Sequence, residues 1–322
     1  MMNLAFQHGP RCRTILPLLL VFALPGCGDG SGAGGPVAIT PGPGPTATPS
    51  PIPTATPGLN FAAAADFAIA SGARAVVAIQ DGAIQFARYA NGGAADRGET
   101  LASGTKSFTC TLASAAQADG LLGLDDLAAA VVRPWRAGGD APQLAWKQQI
   151  RLRDLLSIHS GLAASGVAGG ALNSVDSYAQ ALYADSRAAP DTGASYNPNH
   201  FQAAMAVFEL RTGGAFDGIG VVRGGRDPLD YLQTRVLDRI GVRPTDWSRD
   251  RNGKPNFGGG APMTARDWAR YGAFVAQHGR WNGTQIVPAD LMRRCLDYRP
   301  GGFQGNALGW WVNRPVGASY NP

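Results

Sequence analysis

The sequence predicts an α/β domain of the α+β kind, an antiparallel sheet flanked by helices and interrupted by a helical insertion. Three observations carry that prediction. Two β-prone runs, residues 75–80 and 83–89, flank the dipeptide Asp81-Gly82, a strong hairpin signal. A long middle stretch repeats helical apolar spacing between caps and glycines. A last apolar run, residues 308–316, reads as a returning strand. The 322 residues suffice for one large domain with an ample core.

Before that domain come two segments of other character. Arg11 and Arg13 precede an apolar run over residues 15–24, too short to span a bilayer as a mature helix. A basic region before a short apolar core is the layout of a secretory signal peptide. The following Leu24-Pro25-Gly26-Cys27 resembles the bacterial lipobox, in which the cysteine is lipidated and becomes the new N-terminus. Residues 28–58 are Gly-rich and then Pro/Thr-rich, a composition that cannot bury a core and reads as a spacer. The expected organisation is therefore a lipoprotein-type signal peptide over 1–26, a lipidated Cys27 and tether over 27–58, and a folded domain over 59–322. The expected location is the cell envelope, with the domain anchored to a membrane and facing the periplasm.

Within the domain a helix is expected over residues 61–70, ended by Ser71-Gly72, and then the hairpin. A second helix should run over residues 103–119 and stop at Gly120. Asp125-Asp126 signal a helix start through Ala130 and beyond. Further helices fit residues 151–158, 200–210 and 264–277.

Composition excludes several classes. Hydrophobic residues make up 45% of the chain, which rules out wholesale disorder. The net charge of +5 is scattered, without a Lys/Arg run, so no nucleic-acid partner is expected. Cys12, Cys27, Cys110 and Cys295 form no CxxC pair. The histidines, His8, His159, His200 and His278, have no metal-ligand spacing. Neither a metal nor an organic cofactor is implied. Buried free thiols are the expectation for Cys110 and Cys295, with a disulfide between them the alternative.

Ser103-Gly104-Thr105-Lys106 is a Ser-x-x-Lys pattern at a helix start. Residues three apart share a helix face, so the ammonium can approach the hydroxyl. A serine hydroxyl needs an adjacent base to act as a nucleophile. Lysine serves if burial and the positive potential of a helix N-terminus lower its pKa. The chain has only three lysines, Lys106, Lys147 and Lys254, and otherwise uses arginine. A base position is one place where arginine cannot replace lysine. The alternative on these residues alone is a capping serine with a surface lysine one turn on.

The wider string narrows the choice. Residues 101–112 (LASGTKSFTCTL) with 118–126 (ADGLLGLDD), residues 150–162 (IRLRDLLSIHSGL), and residues 260–272 (GAPMTARDWARYG) closely resemble, in order, segments of the serine β-lactamase-related and penicillin-binding-protein-like hydrolases, in their class C-like branch. The resemblance implies a β-lactamase/transpeptidase-like fold with Ser103 as nucleophile and Lys106 as base. It also implies a Tyr-x-Asn element. At that place stands Ser195-Tyr196-Asn197-Pro198-Asn199-His200, in which Tyr196 matches the family tyrosine and Pro198 occupies the asparagine position. Asn197 or Asn199 is the candidate substitute. His200 reads as a helix-start residue and His159 as part of a helix-ending turn. Cys110 can face the same side as Ser103 and Lys106. The hexapeptide GASYNP of 193–198 recurs at 317–322, and Tyr320 in the second copy is read as non-catalytic.

The family's third motif, Lys-Thr-Gly or His-x-Gly on a strand beside the site, is not found. It would follow the segment that residues 308–314 resemble, so the chain is expected to lack C-terminal strands. The function implied is hydrolysis of an ester or amide through an acyl-enzyme on Ser103, as a carboxylesterase, amidase or D-Ala peptidase. The partner would be a small ester, amide or peptide substrate. The competing reading is a non-catalytic, lipid-tethered envelope binding protein that retains the fold.

Overall fold

The structure, a computed structural model, describes residues 19–22, 60–136, 142–164, 175–297 and 306–311. Cys27 and the Pro/Thr-rich spacer lie outside the described residues. Of the expected signal segment, Leu19–Phe22 is described and forms strand β1.

Asn60 Oδ1 accepts the Ala63 N–H at 2.9 Å and so starts α1 (Phe61–Ala70). The expected hairpin follows as β2 (Ala75–Gln80) and β3 (Ala83–Tyr89). Its turn residues Asp81 and Gly82 have φ of 54° and 78°, the left-handed pair that matches the twist of the flanking strands. β1 pairs antiparallel with the other edge of β2, Leu19 opposite Ile79 and Phe22 opposite Val76, giving the order β1-β2-β3. β2 is buried on both faces for a local reason. Val76 joins Ala65, Ala68 and Ala73 in a small cluster under α1, whereas Ala75, Val77 and Ile79 belong to the main core.

β4 (Gly98–Thr100) leads into a 3-10 turn over Ala102–Lys106 and then α2 (Ser107–Ala118). Every α2 residue from Ser107 to Ala116 is buried, so this helix is the axis of the domain. Its buried hydroxyls are paired, as buried polar groups must be: Thr111 Oγ1 lies 2.8 Å from the Tyr271 hydroxyl, which donates to the Ser107 carbonyl at 3.0 Å. The insertion then supplies α3 (Pro142–Gln149), α4 (Leu152–Leu156), α5 (Ser177–Tyr183) and α6 (Asn199–Arg211). A short pair, β5 (Ala215–Phe216) and β6 (Val222–Arg223), precedes α7 (Pro228–Leu232). The chain returns as β7 (Pro262–Thr264), α8 (Ala265–Ala276), the pair β8 (Arg280–Trp281) and β9 (Thr284–Gln285), and α9 (Ala289–Arg294). Thr264 caps α8 by accepting the Asp267 N–H at 3.1 Å. Antiparallel pairing of β7 with β4, Thr264 opposite Gly98, brings the residues before β7 against the start of the 3-10 turn.

Four sequence expectations are corrected. The expected helix over 103–119 opens as the 3-10 turn and becomes α-helical only at Ser107. No helix runs through Ala130. Leu127 is extended and bridges Arg151, and only 3-10 turns at Ala128–Ala130 and Arg133–Trp135 follow, the second holding Pro134. Residues 308–311 are not a strand; they belong to a turn closed by an Asn306–Trp311 bridge, with Gly309 at φ 77°, and residues 312–316 lie outside the described residues. Cys110 and Cys295 are joined in a disulfide, their Cα atoms 5.7 Å apart. Cys110 therefore faces α9 rather than the side of Ser103. Both cysteines are fully buried where Cys295 caps the C-terminus of α9 against α2.

Candidate active site

Ser103 stands exposed on the 3-10 turn just after Ala102, whose φ of 46° is left-handed. Non-glycine residues adopt that conformation uncommonly, and the strain is held by the framework around it. Leu101 N–H donates to the Ala261 carbonyl at 2.9 Å, and Ala261 N–H donates to Thr105 Oγ1 at 3.1 Å. The turn is thus stitched on both sides to the strand that leads into β7.

Lys106, one turn on, is buried, with 6% relative exposure. Its Nζ donates to Ser103 Oγ at 2.8 Å and also to the Gly258 carbonyl. The remaining surroundings are aromatic: Nζ lies 5.1 Å from the Tyr196 ring centroid and 5.5 Å from that of Phe201. Burial pushes the Lys106 pKa down from 10.5 to about 8, because desolvation penalises the ammonium more than the amine. At pH 7 roughly a tenth of the molecules then carry a neutral amine at this position.

Gly258 was not singled out by sequence reasoning. Its carbonyl is aimed by neighbours that hold the segment before β7: Phe257 N–H donates to Gln202 Oε1 at 2.9 Å and Gly258 N–H to Asn256 Oδ1 at 3.0 Å. Glycine is required there, since an added Cβ would come within 2.8 Å of Pro198 Cβ. Pro198, in the position where the resemblance leads one to expect asparagine, packs against the residue whose carbonyl accepts the Lys106 hydrogen bond. The run Gly258-Gly259-Gly260 was the available signal.

Tyr196 is 41% exposed and meets the Trp311 ring at 5.9 Å between centroids. Gly309 seats that turn on the nucleophile segment, with no room for a Cβ, which would lie 2.5 Å from the Lys106 carbonyl. The structure therefore brings Ser103, Lys106 and Tyr196 together. It does not bring the candidate asparagines to them. Asn197 Nδ2 donates to the Leu162 carbonyl at 3.0 Å and Asn199 Nδ2 to the Ala163 carbonyl at 2.8 Å, and both residues are buried. His159 is buried in its turn with Nδ1 2.6 Å from the Ser157 carbonyl, away from Lys106's contacts.

A family profile described as beta-lactamase matches residues 68–321. The chain belongs to the beta-lactamase family. Solved structures share the fold of this beta-lactamase-family chain at low identity. A beta-lactamase-like protein from Bacteroides dorei aligns with a TM-score of 0.60 at 19% identity, over 78% of each chain. A 6-aminohexanoate-dimer hydrolase homologue from Bacillus anthracis aligns at 0.57 and 19% identity, over 74% of this chain and 64% of that one. A D-stereospecific amidohydrolase from a Streptomyces species aligns at 0.56 and 19% identity, over 78% of this chain and 82% of its own. The chain thus spans less than two thirds of the Bacillus anthracis protein. No curated protein sequence matches it.

Proposed function

We propose that this beta-lactamase-family chain is a serine hydrolase that cleaves an ester or a short amide through an acyl-enzyme on Ser103. One observation carries the reading: a buried lysine, with its pKa pushed down to about 8, lies 2.8 Å from the hydroxyl of an exposed serine. In the reactive form the Lys106 amine is neutral and accepts the Ser103 proton while the Gly258 carbonyl holds one of its N–H groups. Ser103 Oγ then attacks the substrate carbonyl carbon. The Ser103 backbone N–H would be one donor to the developing oxyanion. Lys106 and Tyr196 pass the proton to the leaving group, the carbon–heteroatom bond breaks, and water releases the acyl group by the same route reversed.

Esters and short amides are favoured over β-lactams because no side-chain amide stands at the Pro198 position. Amides join esters in the first screen because two of the fold neighbours are named for amide hydrolysis. The composition of residues 11–27 supports export and lipidation at Cys27, which would remove β1 with the leader and hold the site in the cell envelope facing the periplasm, where cell-wall peptides are within reach. Metabolic labelling with a palmitate analogue, on the parent and on Cys27→Ala, tests the anchor.

The catalytic reading is tested by intact mass after exposure to a broad serine-hydrolase phosphonate. A single adduct on the parent, absent in Ser103→Ala, is expected. A folded parent that takes no adduct would leave the non-catalytic envelope binding protein as the better account.

A further inference from the structure

We propose that His200 is a positioning residue for Tyr196: it fixes the peptide that enters the tyrosine, so that the phenol can deliver its proton to the leaving group. The inference rests on the hydrolase reading above and assigns a task to a residue outside the Ser103–Lys106–Tyr196 set.

His200 lies in the first turn of α6 and is fully buried. Its Nε2 is 2.6 Å from the Ser195 carbonyl and its Nδ1 is 2.7 Å from Ser160 Oγ. The Asn197 amide nitrogen also lies 3.0 Å from Nε2, but its hydrogens go to the Leu162 carbonyl at 3.0 Å and the Ser195 carbonyl at 3.4 Å. A carbonyl can only accept, and the Ser195 carbonyl is the nearer neighbour of Nε2, so Nε2 carries the proton and Nδ1 is the acceptor, taking the Ser160 hydroxyl proton. Burial pushes the ring's pKa down to about 4, so the imidazole is neutral at physiological pH, as that tautomer requires. Ser160 is fixed in turn, since its Oγ accepts the Leu162 N–H at 3.3 Å. The chain of bonds therefore runs from the turn after α4, through the imidazole, to the residue immediately before Tyr196.

The other end of Ser195 is also held, its N–H donating to the Ile158 carbonyl at 3.0 Å. Ser195 is thus held at its N–H and at its carbonyl, where the His200 bond of 2.6 Å is the short one and Asn197 Nδ2 stands at 3.4 Å, and Tyr196 follows directly on that fixed peptide. The same helical turn carries Phe201 over the Lys106 ammonium, so His200 couples the tyrosine to the wall of the lysine pocket. Ser160 and His200 are not a second nucleophile–base pair. Both are sealed from solvent, and the Nε2 proton is committed to a backbone carbonyl.

Two conservative replacements separate the two bonds. The amide nitrogen of glutamine reaches the place of Nε2, whereas the amide of asparagine reaches only the place of Nδ1, where its oxygen accepts the Ser160 hydroxyl proton. His200→Gln keeps the Ser195 contact; His200→Asn keeps only the Ser160 contact. The readout is a pair of phosphonates with one phosphonyl group, leaving as p-nitrophenolate, which needs little protonation, or as phenolate, which needs it. Labelling rates are taken by intact mass on the parent, Tyr196→Phe, His200→Gln and His200→Asn.

His200→Asn is expected to keep p-nitrophenyl labelling within about twofold while losing about 10- to 100-fold on the phenyl probe, as a small misplacement of a proton donor does. Tyr196→Phe should show the same selectivity, and His200→Gln should recover most of the phenyl rate. Retained p-nitrophenyl labelling doubles as the check that each variant folds. Equal losses on both probes in His200→Asn and His200→Gln, or parent rates in both variants, would overturn the positioning role alone. A parent that takes neither probe overturns the hydrolase reading, and this inference with it.

Discussion

Lys106 and Lys254 are two of only three lysines in the chain, and both are buried, with 6% and 8% relative exposure. Their surroundings are opposite. Lys254 Nζ is held by both oxygens of Glu209 at 2.7 Å, over the Tyr178 ring at 5.2 Å. Lys106 Nζ is given a hydroxyl, a carbonyl and two ring faces. The Lys254–Glu209 ion pair serves as a strut between α6 and the segment before Asn256. A buried ammonium with neutral partners holds its proton loosely. Depth alone does not make a lysine a base; the absence of a compensating charge from its contacts does.

The comparison breaks most visibly in activity. Lys106→Met, and equally Lys106→Arg, should lower phosphonate labelling of Ser103 by about 10³-fold or more, since neither side chain accepts the proton. Lys254→Met should leave labelling near the parent value wherever the variant is folded. Loss of labelling in folded Lys254→Met would mean that the strut, not the base, governs the site.

Stability should reverse the order. Lys254→Met strands Glu209, whose carboxyl burial already pushes above its ordinary range. Removing one member of a buried pair costs about 3–5 kcal/mol. Urea unfolding measures it, and Lys254→Met with Glu209→Met together should recover most of the loss, because two apolar side chains of similar volume leave no unpaired charge.

Lys106→Met should instead stabilise the fold. A pKa lowered from 10.5 to about 8 means the folded state carries a charge cost of about 3 kcal/mol below pH 8. About 2 kcal/mol is lost with the charge-assisted bonds to Gly258 and Ser103, leaving a gain of about 1 kcal/mol at pH 7. The folded parent releases this proton more readily than the unfolded chain, so unfolding takes up a proton between pH 8 and 10.5. Parent stability therefore rises through that window, and the gap to Lys106→Met narrows. A gap that stays constant from pH 7 to 10 would remove the charge cost from the explanation.

How much of this was legible in sequence follows the range of the interactions. The hairpin was readable because Asp81-Gly82 dictates its own turn, and α8 because Thr264 and Asp267 form its cap within four residues. Ser103 and Lys106 were readable because one turn of helix joins them. Gly258 is 152 residues from Lys106, and no local pattern announces that its carbonyl will accept a hydrogen bond from the ammonium. The Cys110–Cys295 bond spans 185 residues, and nothing near either cysteine distinguishes it from a buried thiol. Asn197 and Asn199 were the natural substitutes for a missing amide. Only the fold shows their donors already spent on the carbonyls of residues 162–163. His200 looked like an ordinary helix-start residue because Ser160 and Ser195, its nearest partners, come from separate loops.

The finest test of the two-lysine contrast is the pH dependence of Ser103 labelling. If Lys106 is the base, the rate follows its neutral fraction, rising about tenfold per pH unit below its pKa and levelling above about pH 9. The inflection should sit near pH 8, where burial places the group. His200, with a pKa near 4, titrates below this window and cannot supply the inflection. Lys254→Met together with Glu209→Met should leave the profile in place, because the strut exchanges no proton with the site. A substitution that puts a carboxylate within reach of Nζ should move the inflection upward, and Phe201→Glu does so by replacing one ring face with an anion. In that variant the lysine would acquire the kind of partner Lys254 has, and its labelling at pH 7 should fall because its proton is held more tightly. An inflection that stays near pH 8 in Phe201→Glu would show that the titrating group is not Lys106.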